Sequence, residues 1–202
     1  MNLRVLKRFI ILLAALTVVA VIGSDMLDDF VTREPGDYET EMGSNRLEDG
    51  LYDEALAHYG EALEQAPDHR GALMGRAIVF IQTERLDDAM AELNYLIDFL
   101  NLSLAPDDTT GIGTLAAAYA NRGRIHDLRG DYEKALQSYI AALNIDEETV
   151  SPGVIHKLLY STGKISSVRK RAQYIYEQLQ LPEDQRLMRI PELDAIQRMY
   201  KP

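Results

Sequence analysis

One block recurs along the chain: Gly50-Leu51-Tyr52-Asp53-Glu54-Ala55-Leu56 returns as Gly130-Asp131-Tyr132-Glu133-Lys134-Ala135-Leu136. Each copy is followed by a tyrosine (Tyr59, Tyr139) and then by an Ala-Leu pair (Ala62-Leu63, Ala142-Leu143) at matching offsets. Between them, Arg85-Leu86-Asp87-Asp88-Ala89-Met90 continues to Leu93 and Leu96-Ile97 in the same register. Ala55 and Ala89 are 34 residues apart, and Ala89 and Ala135 are 46 apart. Upstream, Met42-Gly43, Arg76-Ala77 and Arg122-Gly123 repeat the same two spacings. Three copies of one unit are therefore present, with twelve extra residues, lying within 101–114, before the third. A unit recurring at this period cannot bury its apolar face alone, so the copies must stack.

The small residues say how they stack. Two helices approach to about 8–10 Å only where side chains at the crossing are small, which accounts for Ala55, Ala89 and Ala135 on one helix and Gly43, Ala77 and Gly123 on the other. Tyr59, Leu93 and Tyr139 are then placed to fill the space between neighbouring hairpins. The pattern resembles the tetratricopeptide repeat (TPR): a small residue early in helix A, an alanine early in helix B, an aromatic four residues on, and a closing proline, here Pro67. The expected fold is all-α, a TPR-like solenoid with repeats over 38–69, 70–100 and 116–149. Residues 150–202 are expected to form a degenerate fourth repeat and cap. In that stretch Ser151 and Pro152 open a helix over 152–162, and Ala172, Ile175, Tyr176 and Leu179 share one apolar face. Pro182 ends that helix and Pro191 opens a short last one.

The N-terminus carries a different signal. Arg4, Lys7 and Arg8 precede an uncharged run from Phe9 to Gly23, and Asp25, Asp28 and Asp29 follow at once. At about 1.5 Å per residue this run falls short of a hydrocarbon layer of about 30 Å unless its flanks contribute. A secretory signal has the same pattern, so cleavage and release of a soluble peptide-binding module is the alternative. The preferred reading is an anchor over residues 1–24, entering the lipid bilayer through residues 5–24, followed by an acidic linker over 25–37. The basic residues then remain in the cytoplasm and the solenoid crosses to the periplasmic side of a bacterial inner membrane.

Charge narrows the partner. The net charge is −11, but residues 1–23 carry +3 and residues 150–202 carry +4, which leaves −18 on residues 24–149. An acidic body repels phosphate backbones, so no nucleic-acid partner is expected. The run Arg169-Lys170-Arg171 is read as a solvated face. Cysteine is absent, which removes disulfides, thiolate metal sites and thiol nucleophiles.

Reactive constellations are not evident. His58, His69, His126 and His156 are scattered, without the spacing of a zinc site. Gly111-Ile112-Gly113 lacks the strand and Lys-Ser/Thr of a phosphate loop, and Asp107-Asp108-Thr109-Thr110 lacks the spacing of a calcium loop. No enzyme activity, cofactor or metal is expected. The TPR resemblance implies instead a concave groove lined by the A helices, where an extended peptide or partner helix sits. The inner places include Leu47, Met74, Ile78, Ile81, Asn121 and Arg124, with Met74, Ile78 and Ile81 either forming an apolar centre suited to adaptable contacts or packing on the inserted stretch 101–114 or the N-terminal tether. The function implied is a membrane-tethered protein-interaction scaffold, an assembly or accessory subunit of a membrane complex.

Overall fold

The structure is a computed structural model that describes residues 10, 13, 14, 16–18, 33–146 and 168–190. Among these it is helical, without strands. The helices are α1 (Asp37–Glu48), α2 (Tyr52–Gln65), α3 (Arg70–Gln82), α4 (Leu86–Ser103), α5 (Thr109–Arg129), α6 (Tyr132–Ile145) and α7 (Val168–Leu179), with a 3-10 turn over Glu183–Gln185. Consecutive helices from α1 to α6 pack in antiparallel pairs. The first members, α1, α3 and α5, also lie against one another, and α7 covers α6. This is the stack of hairpins the repeats demand.

Equivalence between copies is visible in the turns. Helix α1 ends with Leu51 N–H donating to the Arg46 carbonyl at 2.9 Å, α3 with Arg85 N–H to Phe80 at 2.8 Å, and α5 with Asp131 N–H to His126 at 2.9 Å. Each closure needs one residue in the left-handed region: Gly50 (φ 74°), Glu84 (φ 59°) and Gly130 (φ 82°). Glycine adopts that backbone without penalty, whereas a side chain costs about 1 kcal/mol there. Glu84→Gly is therefore expected to stabilise the fold by about 1 kcal/mol and raise the thermal midpoint by roughly 2–4 °C. A lower midpoint in a calorimetric scan would refute this.

Acids in the first turns of the second helices, Asp53-Glu54, Asp87-Asp88 and Glu133, complement the positive end of each helix dipole. Three residues past each N-terminal start, Ala55, Ala89 and Ala135 are fully buried, as expected for equivalent crossings. Tyr59, Leu93 and Tyr139 are buried beside them.

The first helix is formed over Asp37–Glu48. Helix α4 runs on to Ser103 before Pro106, and α5 starts at Thr109, so Gly111-Ile112-Gly113 is helical and does not lie in a loop. Arg171 is buried and Tyr176 is exposed, although Ala172 and Ile175 are buried as expected. The proposed helix over 152–162 and the segment after Pro191 lie outside the described residues, as does most of the anchor over 1–24. No helix among the described residues is long and apolar enough to cross a membrane.

Candidate protein-binding surface

Helix α3 carries polar side chains only at Arg70, Arg76 and Gln82, and it is enclosed by its neighbours. Of the two readings of Met74, Ile78 and Ile81, an open groove or packing under other segments, the structure has the second: they are core residues, as is Leu47 on α1. Asn121 is fully buried on α5, where its amide donates to the Met74 sulfur at 3.4 Å. Among the six inner places, Arg124 alone is half-buried. The correction has a physical reason: a helix apolar on every side is driven inside rather than left to line a groove.

An open cavity of about 510 Å³ lies elsewhere, where the starts of α1, α3 and α5 meet the end of α4. The extended α4 and α5 supply one wall through Phe99, Leu104 and Asp108. At the opposite wall His69 Nδ1 accepts from Ala72 N–H at 3.2 Å, capping α3, and lies 3.3 Å from the Thr40 hydroxyl. Its Nε2 stands 2.9 Å from Asp37 Oδ1. The tautomer with hydrogen on Nε2 satisfies both bonds. Across the cavity Arg70 reaches Asp108 Oδ2 at 2.5 Å while Asp108 Oδ1 accepts from Gly111 N–H at 2.7 Å, capping α5. A Cβ on Gly111 would meet the Leu104 methyl and the Arg70 guanidinium, so a larger residue there would have to move both side chains.

Both carboxylates are held below their ordinary range, Asp37 chiefly by the hydrogen bond from His69 and Asp108 chiefly by the bond from Gly111 N–H. Because the folded value of Asp37 lies below the unfolded one, its contribution is present above the unfolded value of 3.8 and disappears as pH falls through the folded value. The difference in thermal midpoint between wild type and Asp37→Asn is thus expected at pH 7 and expected to shrink as pH falls below the unfolded value of 3.8. A difference that stays constant over that range would contradict the His69 contact.

These ionisable groups are engaged as caps and ion pairs: the His69 Nδ1 that faces the Thr40 hydroxyl already accepts from Ala72 N–H. Among the described residues no group of three or more His, Asp or Glu is arranged to hold a metal. The cavity rim and Asp108 were not flagged by the sequence. The signal available was Asp108 directly before Thr109-Thr110, an N-cap in front of a helix.

Family models described as tetratricopeptide repeat match residues 40–106 and 116–149. The chain belongs to the tetratricopeptide-repeat family. The two matched ranges leave 107–115 unmatched between them, where the alanine spacing is longer. Relatives of this TPR chain include an Hsp70-Hsp90 organizing protein of Triticum aestivum, 26% identical over 54% of this chain and 17% of that protein. Human tetratricopeptide repeat protein 13 is 33% identical over 44% of this chain and 10% of that protein. Hsp70-Hsp90 organizing protein 3 of Arabidopsis thaliana is 27% identical over 54% of this chain and 17% of that protein. The chain thus spans less than a fifth of the length of these relatives. A similar solved structure is the first TPR of Spaghetti bound to the HSP90 peptide SRMEEVD, with a TM-score of 0.52 and 16% identity. The match covers 73% of this chain and 94% of that one, and it establishes the shared fold. TPR units serve as protein-interaction modules, which is the function class the fold supports here.

Proposed function

We propose that this TPR chain is a non-enzymatic scaffold that residues 5–24 tether to a bacterial inner membrane, where it serves as an assembly or accessory subunit of a membrane protein complex. Its N-terminus stays cytoplasmic with Arg4, Lys7 and Arg8, and the solenoid faces the periplasm. The observation that carries the tether is at the N-terminus: Ile10, Leu13, Leu16 and Val18 are helical, and each is more than half exposed. Four large apolar side chains presented together favour a lipid environment over water.

The partner class differs from that of the similar solved structure. SRMEEVD is an acidic peptide, whereas the body of this chain carries −18 over residues 24–149. Asn121 and Arg124 are the inner-face residues that resemble a carboxylate-holding set, and Asn121 is committed to Met74 inside the core. A partner with a cationic surface fits the charge.

The test is to tag the full chain, extract native membranes in mild detergent and identify co-purifying proteins. Defined membrane proteins in stoichiometric amounts are expected; a chain that elutes alone refutes the scaffold. Intact mass of the native protein checks the tether, since loss of residues 1–23 would mean a released module instead.

A further inference from the structure

Beyond α7 the chain turns at Pro182, makes one 3-10 turn, and then runs without helical bonds from Arg186 to Ile190 alongside the helix it has just left. Its main chain is held by side chains. Leu187 N–H donates to Gln178 Oε1 at 2.7 Å, the Leu187 carbonyl accepts from the Tyr174 hydroxyl, and the Met188 carbonyl accepts from Arg171 Nη2 at 3.2 Å. Arg171, Tyr174 and Gln178 are three and four residues apart, on one face of α7. Further along, Arg189 Nη2 donates to the carbonyls of Asp127 at 3.1 Å and Leu128 at 2.6 Å, in the last turn of α5, where the helix dipole favours a cation.

Two features separate this arrangement from ordinary packing. Arg171 is held independently of the segment, by two bonds of 2.7 Å to Asp127 on α5. The segment itself buries little: Leu187 is 60% exposed, and only Met188 packs against the core. An extended segment read mainly through its main-chain groups, beside an anchored arginine, is a peptide-recognition arrangement.

We propose that the face of α7 bearing Arg171, Tyr174 and Gln178, together with the end of α5, is a docking site for an extended partner segment, filled in cis by residues 187–189. The reading rests on the chain being a protein-binding module. The site accepts any residue at the first place, an apolar residue at the second and arginine at the third. An arginine-bearing segment also suits the acidic body. The cis segment competes at an effective concentration on the order of millimolar, so partner binding requires its displacement.

The test uses the full chain in detergent and a labelled peptide of residues 184–190. Arg189→Ala loosens the cis segment and is expected to raise peptide affinity at least about tenfold over wild type. Adding Gln178→Ala should remove that gain, and a peptide with alanine in place of its second arginine should not bind. No gain in a folded Arg189→Ala chain, or a gain indifferent to Gln178→Ala, overturns the proposal. Concentration-dependent dimerisation of Arg189→Ala also overturns it, in favour of a second copy as occupant. Should Arg189→Ala lose helical signal, hydrogen exchange of the Leu187 amide in wild type decides: excess peptide must accelerate it, and unchanged exchange overturns the site. Partners that still co-purify with the Gln178→Ala chain would remove this site while leaving the scaffold reading intact.

Discussion

Asp127→Ala is expected to lower the stability of the chain by about 3–5 kcal/mol, seen as a fall in thermal midpoint of roughly 10 °C. Asp127 and Arg171 are 2% and 4% exposed and meet through two hydrogen bonds of 2.7 Å, while the Tyr139 hydroxyl donates to the same carboxylate at 3.3 Å. Truncating the aspartate leaves a guanidinium buried without that counter-charge. The cost is the desolvation of this cation rather than the worth of the pair, so Asp127→Leu with Arg171→Met should recover most of the loss. The exposed pair Arg129–Asp87, whose aspartate is 99% exposed, sets the comparison: Arg129→Ala should cost less than about 1 kcal/mol. If Asp127→Ala matches Arg129→Ala in a denaturant titration, the buried pair does not anchor α7 to the stack.

That pair also marks where sequence reading stops. Arg171 stands in a basic run that pattern assigns to solvent, and its partner is 44 residues away in another hairpin. Only tertiary packing of α7 against the third repeat brings the two together. Contacts within the repeat were legible because they recur: the buried alanines, the interleaved aromatics and the turn glycines all follow one spacing. Glu84 shows the same turn formed where the glycine is missing, because the surrounding hairpin dictates the backbone there. The enclosure of α3 could have been read from its composition, since a run with apolar or small residues at nearly every place has no face left for a groove. Family geometry pointed to Met74, Ile78 and Ile81 as inner-facing. Their burial shows that a place in a repeat fixes direction but not accessibility, which depends on what packs above it. The helical insertion was hidden for a related reason. Gly111 reads as a helix breaker, yet here its missing side chain makes room for Leu104 and Arg70, a contact no local pattern reveals.

Gly75 provides the most discriminating test of the stacking argument, because its neighbour Tyr59 belongs to the preceding hairpin. A Cβ at Gly75 would stand 2.6 Å from the Tyr59 hydroxyl oxygen and closer still to Cζ and Cε1, and one at Gly43 would stand 2.8 Å from Cδ1 and Cε1 of the same ring. Tyr59 therefore lies in a slot whose two walls are glycines on α1 and α3, with its hydroxyl 3.2 Å from Ser44. Gly75→Ala overfills that slot and is expected to cost about 2–3 kcal/mol, at the upper end for overpacking. Gly60→Ala, also within a helix but with nothing within 4 Å of the added carbon, should instead gain about 0.5–1 kcal/mol from helix propensity. The second repeat supplies the compensating change: Leu93 replaces the tyrosine, and the place equivalent to Gly75 is Asn121. Tyr59→Leu should accordingly relieve Gly75→Ala, so that the double variant loses at least about 1 kcal/mol less than the two single losses added together. Strict additivity would mean that ring and glycine do not share the slot, and that the hairpins are held in register by other contacts.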